Sequence, residues 1–254
     1  MNFFYKVLSR IGGLFGSMQD DNASAGYISS ILHHSVAQRK PLSNYRVRKK
    51  IFPLAAGDYP VMNAGDRTRI YGWFNAVSRV KVIEGDIVEA GTGFGNTAIT
   101  LLTANRLFHA QKQVHCFDSF EGFPLPHAND YGSRVKKNSR VSGWEHNSEE
   151  IITEAAGNDP LLIIHKGYFA ETMSQLPVHI ALLHIDCDLY ESTQCVVENA
   201  YPRLSPGAVV VIDEYHDEKW PGVRKAIDEF LKDKQEKPEY IEELLRYGFI
   251  KSVH

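Results

Sequence analysis

The chain has few cysteines, no surplus of positive charge and no long apolar run, and each shortage removes a class of protein. Only three cysteines occur, Cys116, Cys187 and Cys195. Their spacing is neither the paired pattern of a zinc site nor the even-numbered framework of a disulfide-stapled secreted domain. They read as buried, reduced thiols in core strands or just beyond them. Lysine and arginine total 28 against 31 aspartates and glutamates, a formal charge of −3, so nothing points to nucleic acid as the main partner. No stretch approaches the roughly 18–20 apolar residues that cross a bilayer. Lys6 and Arg10 interrupt the apolar residues near the start, which a secretory signal would keep unbroken, so a cytoplasmic location is expected.

What is present is the composition of an ordinary globular protein, 43% hydrophobic and 23% charged over 254 residues. Residues 1–60 read as an N-terminal extension of short helices and turns, with residues 61–254 as the main domain. In the extension, Phe4, Val7, Leu8, Ile11, Leu14 and Phe15 recur at helical spacing. An amphipathic helix there needs cover, which predicts packing on the core or on a neighbouring subunit, and with it a homodimer.

Beyond residue 60 the rhythm changes. A helical pattern runs over Asp66–Val80. Short apolar runs follow at Asp86–Ala90, Val114–Asp118, Leu161–His165, Ile180–Ile185 and Ala208–Ile212. Helical patterns alternate with them, over Ala98–Phe108, Ser148–Ala156, Ser192–Leu204 and Val223–Lys232. Strands that are apolar on both faces and alternate with helices predict a doubly wound α/β fold around a parallel sheet. Tyr240–Val253 holds two further strands turning near Arg246 and Tyr247, an antiparallel edge. Pro124–Asn147 breaks the alternation, and a polar loop of that length is expected above the carboxyl ends of the strands, where ligands bind in open α/β sheets.

Chemistry concentrates at three strand ends. Glu89-Ala90-Gly91-Thr92-Gly93-Phe94-Gly95 follows the first strand and precedes a helix. The spacing is G-x-G-x-G, unlike the G-x-G-x-x-G that seats a pyrophosphate. An acid two residues before the first glycine would repel a pyrophosphate but attract the ammonium of a bound amino acid. Asp118 ends the next strand, where an acid can accept hydrogen bonds from a ribose diol. Asp186 and Asp188 lie two apart at the end of the fourth strand, and Asp213 and Glu214 at the end of the fifth. Four carboxylates on one rim repel one another unless a cation sits among them, and a hard divalent ion such as Mg²⁺ meets that need. His115, His165 and His184 read as satisfied core or rim residues.

Five segments in order, EAGTGFG, FDSFEGFP, KGYFAETM, HIDCDLYEST and LSPGAVVVIDEY, resemble the macrocin O-methyltransferase family, enzymes that methylate sugar hydroxyls of natural products. The resemblance runs from about Met62 to the C-terminus. It implies the mostly parallel seven-stranded sheet of a class I methyltransferase, S-adenosylmethionine as donor and Mg²⁺ as metal. Glu89, Gly91 and Gly95 match the family's donor loop, Asp118 and Ser119 its ribose-binding pair, and Gly167, Tyr168 and Phe169 the turn beside the adenine. Asp186, Asp213 and Glu214 match the metal ligands, Asp186 also bordering the donor, and Asp188 matches the general base. The family commonly has aspartate where this chain has Glu214, and Pro124–Asn147 differs from the antibiotic enzymes, so their acceptors do not transfer.

The expected activity is therefore Mg²⁺-dependent methylation of a sugar hydroxyl by an enzyme with no nucleic-acid partner. Two other enzymatic readings share parts of this logic. A catechol-type O-methyltransferase would chelate a vicinal diphenol to the same ion. A glycosyltransferase would use Asp186-Cys187-Asp188 as a D-x-D motif, but leaves the glycine loop without a role. A methyltransferase fold kept as a non-catalytic subunit sits poorly with acids at every motif position.

Overall fold

The computed structural model describes residues 64–253 apart from 138, 140, 142, 143, 145 and 146, and the backbone alone at 64–68, 70 and 71. The expected amphipathic helix over Met1–Met18, and the dimer contact argued from it, lie outside the described residues. Helix α1 spans Ala64–Val80 and buries Trp73, Val77 and Val80, spaced three to four apart along one face. Then come β1 (Asp86–Ala90), α2 (Asn96–Leu107), β2 (Val114–Asp118), α3 (Glu149–Ala155) and β3 (Leu162–Lys166). The second half continues with α4 (Phe169–Thr172), β4 (Ile180–Ile185), α5 (Tyr190–Ala200), β5 (Leu204–Ile212), α6 (Pro221–Leu231), β6 (Glu239–Ile241) and β7 (Arg246–Ile250).

The seven strands stand in the order β3-β2-β1-β4-β5-β7-β6. β1 to β5 are parallel, while β7 is antiparallel to both β5 and β6, which is the expected C-terminal edge. Alternate strand residues face opposite helical layers. Leu183, Ile185, Val210 and Ile212 pack with Val196, Val197, Val223 and Ile227 of α5 and α6. Ile87, Leu182, Val209 and Val211 pack with Val77 and Val80 of α1 and Ala98 and Leu101 of α2. All four strand residues facing α5 and α6 are fully buried, which explains why these runs show no polar alternation.

Some boundaries differ from expectation for local reasons. β5 begins at Leu204, through Pro206 and Gly207, because Leu204 already pairs with Ile180 before the register shifts to Leu182 opposite Val209. α5 stops at Ala200 because Pro202 cannot continue it, and Tyr201–Arg203 tightens into a 3-10 turn. Cys116 and Cys187 are buried free thiols, but Cys195, expected in or near a core strand, lies half-buried on helix α5.

The strand order reverses between β1 and β4, and a crevice opens there above the carboxyl ends. Gly91 makes the close approach possible. Its φ is +89°, and a Cβ added there would lie 1.7 Å from the carbonyl oxygen of Asp186. The loop after β2 folds over this crevice and is anchored from inside. Val135 is 1% exposed. Asp130 is fully buried and accepts hydrogen bonds from the amides of His127 at 2.8 Å and Tyr190 at 2.7 Å.

Candidate active site

A cavity of about 350 Å³ occupies the crevice. Its walls include Glu89, Gly91, Gly93, Asp118, Ser119, Gly167, Tyr168 and Phe169 at one end, and Asp186 and Asp188 at the other. Gly95 is not in the wall. It starts α2 in a left-handed conformation, with the Ile152 side chain 3.0 Å from where its Cβ would stand. Asp213 and Glu214 also lie outside the wall.

Glu89, the last residue but one of β1, is 1% exposed. Its Oε1 lies 3.1 Å from Nδ1 of His184, and the amide of Ala98 also donates to the carboxylate. Oε2 is buried without a partner. Burial pushes the Glu89 carboxyl well above its usual range, and the nearby Asp118 charge pushes the same way. Burial also pulls His184 down to about 3, so the imidazole is neutral.

Asp118, the last residue of β2, stands at the wall of the cavity beside the glycine loop. Its Oδ2 accepts from Gly93 N at 2.8 Å and its Oδ1 from Phe120 N at 2.8 Å. Burial raises this carboxyl while the amide hydrogen bonds oppose the rise. Ser119 turns its hydroxyl to the carbonyl of Gly122 at 3.0 Å, closing the bend after β2. Asn147, from the far end of the loop, donates to the carbonyl of Gly93 at 2.8 Å and also bonds Asp118. Trp144 packs on Phe94, with 5.3 Å between ring centroids, and closes the cavity from the loop side.

Asp186, Asp188 and Glu214 bring carboxylate oxygens within 4.8 Å of one another, the only such group among the described residues. Asp188 has a φ of +61°, an unusual backbone state that aspartate tolerates better than most residues. Withdrawal from water raises all three carboxyls, Asp188 to about 7, and each of Asp186 and Glu214 is raised further by its neighbours' negative charge. Arg134, whose guanidinium lies 4.7 Å from the Trp220 ring centroid, opposes the rise at Asp188. Oε2 of Glu214 is buried and unpartnered. An orphaned acceptor among crowded acids fits a hard cation with oxygen ligands. Asp213 is not part of this group; Nε and Nη2 of Arg246 contact its two oxygens, and the same guanidinium charge opposes the rise that burial causes at Asp186.

The sequence marks His184 only as a core or rim residue and gives no role at the site to Arg246, Trp144 or Asn147. His184 had a usable signal. It is the last residue but one of β4, as Glu89 is of β1, so neighbouring parallel strands set the two side by side. Arg246 sits on the antiparallel strand, whose register carries no comparable pattern. His115 and His165 do belong to the strand faces, His165 stacked on Phe117 at 4.1 Å and 2.9 Å from Nδ1 of His115.

A family model described as macrocin-O-methyltransferase (TylF) matches residues 37–244. Among curated relatives, an 8-demethyl-8-(2,3-dimethoxy-alpha-L-rhamnosyl)-tetracenomycin-C 4′-O-methyltransferase of Streptomyces olivaceus is 34% identical over 140 residues, covering 52% of this chain and 54% of the relative. A demethyldecarbamoylnovobiocin O-methyltransferase of Streptomyces niveus is 32% identical over 155 residues, 58% of each chain. The matched stretch thus spans little more than half the length of these relatives. The solved structure of the O-methyltransferase NovP superposes with a TM-score of 0.68 at 23% identity, over 91% of this chain and 98% of that one, and shares its fold.

Proposed function

The chain belongs to the macrocin O-methyltransferase family, and from that premise we propose that it transfers a methyl group from S-adenosylmethionine to a hydroxyl of a sugar. One observation carries the reading. A single cavity joins the glycine-loop end, with Glu89 and Asp118, to the acid-cluster end, with Asp188. Donor and acceptor can therefore meet in one crevice.

The donor supplies a methyl made electrophilic by its sulfonium. Glu89 has a free carboxylate oxygen for the donor's ammonium. Asp118, fixed by two backbone amides, has lone pairs left for the ribose hydroxyls, and Ser119 follows it in the bend. Gly167, Tyr168 and Phe169 border the adenine side, Tyr168 and Phe169 offering flat apolar surface at the start of α4. Held in this way, the reactive groups gain the advantage of orientation.

Asp188 acts as general base. It takes the hydroxyl proton as the oxygen bonds to the methyl carbon, and the sulfur keeps the electron pair of the bond that breaks. The Asp188 carboxyl, raised to about 7 by burial, would be drawn down by a cation held by its neighbours, which favours the ionised form that accepts a proton. Asp186 and Glu214, joined by Asp213 when it leaves Arg246, are the residues that would hold Mg²⁺. The ion would make a coordinated hydroxyl more acidic. The loop carrying Trp144 and Asn147 keeps water from the donor end.

The relatives support the acceptor class, since one is named for O-methylation at the 4′ position of a rhamnosyl tetracenomycin. The test is calorimetric titration with S-adenosylmethionine, with and without Mg²⁺, followed by methyl transfer to a panel of sugars and catechols. Donor binding with turnover on sugars supports the proposal. Turnover on catechols alone replaces the acceptor, and absence of donor binding removes methyl transfer.

A further inference from the structure

The pair formed by His184 and Glu89 is more constrained than a core hydrogen bond requires. Both residues are 1% exposed and face each other as register partners on β4 and β1. The imidazole is held in plane by Trp73 of α1, whose ring meets it edge-on at 4.6 Å and 66°. An imidazole that hydrogen-bonds a carboxylate through Nδ1 carries a proton on that nitrogen. Oε1 of Glu89 is thereby engaged at 3.1 Å, and the Ala98 amide holds the carboxylate from the first turn of α2. What remains is Oε2, buried, without a partner, on a residue that lines the cavity. A buried acceptor left open is costly unless a ligand supplies the missing donor.

We propose that His184 is a positioning residue for the methyl donor, holding Glu89 so that its free oxygen meets the donor's ammonium group. This rests on the reading that the cavity takes S-adenosylmethionine. The role is local to one end of the ligand, so loss of His184 weakens only ligands that carry the ammonium. A merely structural histidine would weaken all of them together.

The experiment compares two probes by calorimetry. S-adenosylhomocysteine carries the amino acid, and 5′-methylthioadenosine has the same adenosine and thioether without it. In H184F, affinity for S-adenosylhomocysteine falls about tenfold or more while affinity for 5′-methylthioadenosine holds. In H184N, whose amide nitrogen can stand near the Nδ1 position, both affinities stay within about threefold of the wild type. Equal weakening of both probes in H184F, or no weakening of either, overturns the inference. Should H184F fail to fold, H184Q, which sets its amide one bond further out, is compared with H184N. Selective loss for S-adenosylhomocysteine in H184Q supports the role, and indistinguishable affinities overturn it. A wild-type chain that binds neither probe overturns the donor reading itself, whereas tight wild-type binding with an indifferent H184F overturns this inference alone.

Discussion

Arg246 on the antiparallel strand β7 grips both carboxylate oxygens of Asp213 at the tip of β5. The arginine is a built-in counter-ion beside a rim that carries three other acids. Removing it in R246M leaves Asp213 partly buried and uncompensated, at a cost of about 1.5–3 kcal/mol in urea unfolding without metal. With Mg²⁺ present the loss shrinks, because Asp213 gains a second cation to face. An equal loss under both conditions would separate Asp213 from the ion.

For the proposed base, D188N is the informative change. Asparagine also accepts the left-handed backbone found here, so the turn survives. Donor affinity should match the wild type while turnover falls about 10²- to 10⁴-fold. Near-normal turnover would assign the proton to another group.

The acid cluster sets a dependence on pH. Asp186, Asp188 and Glu214 hold their protons more tightly in the folded chain than unfolded, Asp188 with a value raised from 3.8 to about 7. Across the window between those two values the folded state binds more protons. Stability without metal therefore falls as pH rises from about 4 through about 7. Thermal unfolding should occur at higher temperature near pH 6 than near pH 8, and Mg²⁺ should narrow the gap. A rise in metal-free stability over that interval would contradict the assignment of these shifts.

Trp144 offers a direct optical readout. It stands 3.3 Å from where a Cβ on Gly93 would be, and it faces the cavity beside Phe94. Titration with S-adenosylhomocysteine should change tryptophan emission, and W144F should remove most of that change although Trp73 and Trp220 remain. A full signal in W144F would place the donor elsewhere.

The architecture was legible in the sequence because its strands are buried on both faces. Val88, Val114, Leu182 and Val210 are each fully buried, so β1, β2, β4 and β5 read as short, mostly apolar runs between turn residues, even with Glu89, His115 and His184 inside them. The glycine loop was legible because Gly91 has no room for a side chain. Less was readable where partners come from distant strands. Nothing in Arg246 alone marks Asp213 as its partner 33 positions away. His184 resembled a core residue because it is one, and its link to Glu89 exists only once the order of β1 and β4 is known. Short α4 was hidden because four residues carry too little periodicity to declare a helix.

The loop after β2 stands with one foot on each reactant's ground. Asn147 is tied to Gly93 and Asp118, and Asp130 is tied to the amide that opens α5, next to Asp188. A shift at Asn147 that carried through to Asp130 would couple the two ends of the cavity. To whatever extent the donor tightens the hold on the acceptor through this strap, the acceptor must tighten the hold on the donor by the same factor. Affinity measured for either alone is then a property of a half-assembled enzyme.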